Sequence, residues 1–107
     1  MYKKYKIILT PFPFTDLSSL KVRPAVIISN LSSDDVVVSF ISSEIKKTFN
    51  QDIKIKKTEI NGLKKDSVIK ISKIATLDKK IILGELGEVD NSLKEKINTS
   101  LKKVFNL

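Results

Sequence analysis

The sequence predicts a mainly β domain, a small and strongly bent sheet or barrel, with one α-helix at its C-terminal end. Three observations carry this. Six short β-type runs recur along the chain, separated by turns. The last segment then changes its apolar period from that of a strand to that of a helix. The 107 residues, 41% hydrophobic and 30% charged, suit one soluble domain spanning 1–107 that buries a core without disulfide staples.

Tyr5–Thr10 is the first run, stopped by Pro11-Phe12-Pro13-Phe14. Arg23–Ser29, rich in Val and Ile, is the second, with Pro24 near its start, where a missing N–H is tolerated. Asn30–Asp34 reads as a turn into the third, Asp35–Ser42. Asp52–Lys56 and Ser67–Ile74 alternate apolar with polar, as strands with one wet face do. Ile81–Val89 is the sixth, interrupted by Gly84 and Gly87. Between them Lys57–Leu63, with Asn61-Gly62, fits a hairpin or a single helical turn equally well. Leu93, Ile97, Leu101, Val104 and Phe105 then form one helical stripe. Asp90 or Ser92 can cap it, Glu95 completing a capping box on Ser92, and Lys102 and Lys103 suit the negative end of the helix dipole.

Composition narrows the chemistry. The chain has neither Cys nor His, which excludes disulfides, thiolate nucleophiles, the usual zinc sites and every His-containing triad. Catalysis would rest on Arg, Lys, Ser, Thr, Tyr and carboxylates, and no metal or other cofactor is expected. No apolar run approaches the ~18–20 residues of a membrane span. The stretch Met1-Tyr2-Lys3-Lys4-Tyr5-Lys6 is basic but leads into no signal-peptide core, so a cytoplasmic location is expected. A net charge of +8 favours a polyanionic partner, with nucleic acid the first candidate.

Arg23 is the most informative residue, because it is the single Arg among twenty basic residues. A guanidinium supplies a planar fork and bidentate phosphate recognition that an ammonium cannot copy. A structural pairing with a carboxylate such as Asp16 would account for it equally well. The loop after Pro11 is polar and rich in hydroxyls, and loops on rigid supports carry binding sites. Within it Phe14, Thr15, Asp16, Ser18, Ser19 and Lys21 are candidate substrate contacts, with an exposed ring available to stack on a base. Ser42-Ser43, at the end of an apolar strand, offers hydroxyls to a phosphate or a ribose. Lys46-Lys47, Lys56-Lys57, Lys64-Lys65 and Lys79-Lys80 read as solvated faces.

Ile7-Ile8-Leu9-Thr10-Pro11-Phe12-Pro13-Phe14-Thr15-Asp16 followed by Val22-Arg23-Pro24-Ala25-Val26-Ile27-Ile28-Ser29 resembles the opening of MazF/PemK-type toxins, the toxin halves of toxin–antitoxin pairs. Gly62-Leu63-Lys64-Lys65-Asp66-Ser67-Val68-Ile69, then Lys73-Ile74-Ala75-Thr76-Leu77-Asp78-Lys79, is similar to that family's second signature. The resemblance covers nearly the whole chain in order. It implies an SH3-like β-barrel with attached helices, a homodimer, a cognate acidic antitoxin, and metal-independent, sequence-specific cleavage of single-stranded RNA to 2′,3′-cyclic phosphate and 5′-OH ends. The family's essential arginine falls on Arg23 and its essential Thr or Ser on Ser42, with Ser43 beside it as a substrate contact. Arginine stays protonated in proteins, so Arg23 suits charge stabilisation rather than base catalysis; Asp16 and Glu44 are the candidate bases. Two departures stand out: Tyr5-Lys6 replaces the family's usual Gly-Asp before the first strand, and Ala75 stands where some members carry a basic residue. A CcdB-like gyrase-targeting toxin on the same barrel, or a barrel that binds nucleic acid without cutting it, are the competing readings.

Overall fold

The β-branched runs pair into one antiparallel sheet. The computed structural model describes residues 2–12, 21–46 and 48–107. Its strands are β1 (Lys6–Pro11), β2 (Val22–Ser29), β3 (Asp35–Ser42), β4 (Ile53–Ile55), β5 (Ser67–Asp78) and β6 (Gly84–Glu88), followed by α1 (Asn91–Phe105). Their spatial order is β4-β5-β3-β2-β1-β6, with every neighbouring pair antiparallel. The sheet curls into a half-barrel, with α1 packed against one face. No helix among the described residues is long and apolar enough to cross a membrane.

Alternation along the strands divides the core in two. Ile7, Val26, Ile41, Ile69 and Ile71 point to the face that takes α1, meeting Ile97 and, at the margin, Leu93, Leu101 and Val104. Ile8, Ala25, Ile27, Val36, Val38 and Phe40 point the other way and are covered by Tyr2, Phe12, Ala75 and Ile82. Ile97 is the one fully buried helix residue, and its truncation to Ala would cost about 2–5 kcal/mol.

Several elements differ from the sequence expectation in instructive ways. β5 continues past Ile74 to Asp78 because Val36, Val37 and Val38 of β3 supply partners for Leu77, Thr76 and Ala75. A 3-10 turn over Lys79–Ile81, capped by the Asp78 side chain, takes up the start of the expected sixth strand. The helix is capped by Asp90, whose carboxylate accepts the Leu93 N–H at 2.9 Å, while the Ser92 hydroxyl donates to that same oxygen at 2.8 Å. These bonds hold the Asp90 carboxyl below the usual carboxylate range.

Asn61-Gly62 closes a helical turn, not a hairpin. The Gly62 N–H reaches the Thr58 carbonyl at 3.0 Å, and Gly62 sits at φ +71. Asn61 is 4% exposed, and its Oδ1 accepts from the Thr58 and Leu63 amides while its Nδ2 donates to the Lys56 carbonyl. The turn seals the curl by backbone contact: the Glu88 N–H donates to the Ile60 carbonyl at 3.0 Å. A Cβ on Gly87 would run into that carbonyl, so glycine is needed there for the approach.

Tyr5, just before β1, adopts φ 77, a left-handed value that costs an L-residue about 1–2 kcal/mol. Its surroundings over-determine it. Its amide donates to the Ile27 carbonyl at 2.7 Å, its carbonyl accepts the Val89 N–H at 3.1 Å, and its hydroxyl donates to Asn98 Oδ1 of α1 at 3.1 Å.

Candidate active site

β2 begins where its antiparallel neighbour β3 ends, and their register brings the two foremost candidates to one place. Ala25 lies opposite Phe40. Continued two residues toward the strand ends, that register sets Arg23 across from Ser42. Both side chains line a cavity of about 120 Å³, shared with Phe12, Phe40, Ile41, Lys70 and Lys73. Space of that size equals roughly four liquid waters, enough for one tetrahedral oxyanion.

Each wall has a physical reason. Phe12 meets Phe40 edge-on, with ring centroids 4.9 Å apart, and the Arg23 guanidinium lies 4.9 Å from the centre of the Phe12 ring. That cation–π contact fixes the guanidinium without using its hydrogen-bonding fork. Arg23 Nε is buried and has no hydrogen-bond partner among the described residues, and the same holds for the Thr10 hydroxyl directly across the strand pair. Buried donors are satisfied in the great majority of cases, so an unsatisfied one in a strand-end cavity marks a place for an acceptor. Ser42 Oγ accepts the Glu44 N–H at 3.1 Å, which leaves its own proton as what it can donate.

The remaining candidates divide. Ser43 lines an adjoining groove of about 390 Å³ that also takes in Arg23, together with Leu9, Pro24, Leu63, Lys64, Lys65 and Leu86. Lys21 is exposed, and its carbonyl accepts the Phe12 N–H at 2.8 Å at the base of the loop. Glu44 is exposed and does not line the cavity; its carboxylate accepts the Lys46 amide at 3.4 Å. Phe14, Thr15, Asp16, Ser18 and Ser19 lie outside the described residues. A broader recess of about 770 Å³ opens between β4 and α1. It contains neither Arg23 nor Ser42 and is lined by ordinary surface side chains such as Lys54, Glu95 and Thr99.

Sequence reasoning passed over four lysines. Lys64 and Lys65, read as a solvated face, border the groove, while Lys70 and Lys73 line the cavity itself. Lys64, Lys65 and Lys73 lie within the family's second signature, which was the available signal; Lys70 lies between its two stretches, and strand alternation assigns Lys70 and Lys73 to opposite faces.

Residues 3–105 match the family model described as PemK-like, MazF-like toxin of type II toxin–antitoxin system. The chain belongs to this family. Among solved structures it is similar to the Mycobacterium tuberculosis toxin MazF-mt6, with a TM-score of 0.76 and 18% identity over 95% of this chain and 97% of that one. It is also similar to a mycobacterial endoribonuclease in complex with its cognate antitoxin (TM-score 0.77, 23% identity, 98% and 95% covered). A third is MazF from Deinococcus radiodurans (TM-score 0.78, 14% identity, 98% and 96% covered). No curated protein matches the chain. At these identities the structural likeness carries the fold, which is the MazF-like curled sheet with its C-terminal helix, as the sequence predicts.

Proposed function

We propose that this MazF-like toxin is a metal-independent endoribonuclease that cleaves single-stranded RNA from the Arg23–Ser42 cavity. The observation that carries the reading is the meeting of the chain's single guanidinium, one buried N–H lacking a partner among the described residues, with the Ser42 hydroxyl in a space the size of a phosphate. RNA brings its own nucleophile. The ribose 2′-oxygen forms a bond to phosphorus, the bond from phosphorus to the 5′-oxygen breaks, and the products are a 2′,3′-cyclic phosphate and a 5′-OH. The 2′-hydroxyl proton passes to a base and the 5′-oxygen gains one. Arg23 holds the non-bridging oxygens as negative charge builds there, Ser42 donates to the phosphate and orients it, and the departing 5′-oxygen takes its proton from water. Asp16 is the remaining candidate base, since Glu44 stands off the cavity.

The family and the mycobacterial complex support a cognate antitoxin as partner; an acidic segment would complement the +8 charge. A homodimer, which would widen the groove for a single strand, completes the reading; light scattering should give about twice 12.1 kDa. The deciding experiment is incubation of the purified protein with long single-stranded RNA in excess EDTA. Discrete fragments ending in cyclic phosphate are expected. Loss of cutting on chelation, restored by magnesium, removes the mechanism.

A further inference from the structure

The register of β5 breaks beside the cavity. Ser39 pairs with Ile74, yet the next residue, Phe40, pairs with Lys70, so β5 carries Ile71, Ser72 and Lys73 as extra residues between them. The Ser39 hydroxyl stabilises the bulge by donating to the Ile71 carbonyl at 3.0 Å in the buried interior. Residues three apart on a regular strand point to opposite faces. Here the bulge turns both Lys70 and Lys73 onto the cavity that holds Arg23 and Ser42. Bulges beside active sites often serve to re-aim side chains in this way.

Lys70 is also held. Its ammonium lies 2.9 Å from Asp52 Oδ2, with side-chain exposures of 13% and 2%, and 5.2 Å from the centre of the Phe49 ring. Asp52 is fixed in turn, accepting the Phe49 N–H at 2.8 Å. Among the described residues the cavity is lined by three cationic side chains, Arg23, Lys70 and Lys73, and by no carboxylate, a lining that suits an anion.

We propose that Lys70 and Lys73 are further phosphate-binding residues of this site, with Asp52 the residue that positions Lys70. Lys70, inside the cavity, joins Arg23 on the scissile phosphate. Lys73, exposed at the rim, takes an adjoining phosphate of the same strand. This rests on the reading that the cavity receives an RNA phosphodiester.

The test uses a mixed-sequence single-stranded RNA for cleavage and its fully 2′-O-methylated copy, which lacks the nucleophile, for binding. Lys73→Ala should flatten the dependence of log affinity on log salt by about 0.7, the value of one phosphate contact on a single strand. Lys102→Ala, on the exposed end of α1, should leave it unchanged. Asp52→Asn with Lys70→Met removes both buried charges together and should slow single-turnover cutting about 10²-fold. Asp52→Asn alone should slow cutting below its melting temperature, whereas a merely structural role would lower the melt and leave the rate at the wild-type value. An unaltered salt slope in Lys73→Ala overturns the role of Lys73, whether or not the double variant folds. A folded double variant that cuts within twofold of wild type overturns that of Lys70. If the wild type cuts nothing yet Lys73→Ala flattens the slope, the phosphate site stands and the nuclease reading falls. If the wild type cuts and both variants behave like it, the reverse holds.

Discussion

Asn61 and Arg23 are both polar groups drawn into the protein, one in the turn before β5 and the other near the start of β2, and they are treated in opposite ways. Asn61 spends its side chain on three backbone partners, accepting from Thr58 and Leu63 and donating to Lys56. Arg23 rests on an aromatic ring, and its buried Nε has no partner among the described residues. The first pattern is architecture, because every bond formed there closes the turn that meets β6. The second leaves binding capacity unspent, and among the described residues the other buried side-chain atom without a partner, the Thr10 hydroxyl, belongs to the residue paired with Arg23.

The largest expected effect is on Arg23→Lys, which conserves charge and removes the fork. Cleavage should fall about 10²–10³-fold, some 3–4 kcal/mol of transition-state stabilisation. RNA affinity should fall far less, since the many lysines supply most of the phosphate attraction. Single-turnover kinetics beside a binding titration and a melt will decide. A variant that cuts within a few-fold of wild type abolishes the contrast, and one that melts early makes Arg23 as architectural as Asn61.

Asn61→Ala probes the other side of the comparison. It strands the Thr58 and Leu63 amides and should cost about 2 kcal/mol or more of stability, read by denaturant unfolding. Well below its melting temperature the variant should cut RNA at close to the wild-type rate. A large loss of rate without a loss of stability would show that the turn belongs to the site.

The smallest effect sharpens the comparison by pH. The folded Asp90 carboxyl titrates below its unfolded range because it accepts the Leu93 amide and the Ser92 hydroxyl. Its contribution is therefore complete above the unfolded value near ~4 and is lost as pH falls through the lower folded value. Asp90→Asn keeps an acceptor for the cap but no charge. The melting-temperature gap between wild type and this variant should be constant near neutrality and shrink in acid, while cleavage at neutral pH is untouched. A gap that widens in acid would contradict the capping role.

Much of the architecture was legible in the residues. Val- and Ile-rich runs marked β1, β2 and β3, alternation marked β4 and the first half of β5, and the period of Leu93, Ile97 and Leu101 marked α1. Arg23 was legible because a chain that otherwise uses lysine departs from its habit there. Other features depend on contacts distant in sequence. Asn-Gly serves a hairpin and a helical turn alike, and the approach of Ile60 to Gly87 is what accompanies the second. No glycine or proline marks the β5 bulge; it is supported by a serine on the neighbouring strand, so by simple alternation Lys70 and Lys73 fall on opposite faces. Nothing in the letter Tyr betrays a left-handed backbone, which the bonds to Ile27, Val89 and Asn98 maintain.

The pairing of β1 with β6 has a consequence in time. During synthesis β1, β2 and β3 can zip together as soon as they leave the ribosome, but the outer edge of β1 stays bare until Gly84–Glu88 has been made. Bare strand edges recruit other chains, so an unfinished copy carries an aggregation hazard that the finished one has covered. The groove beside Arg23 borrows Leu86 from that same late strand. A ribosome must therefore read past Gly84–Glu88 before this protein can assemble the surface with which, on our reading, it cuts RNA.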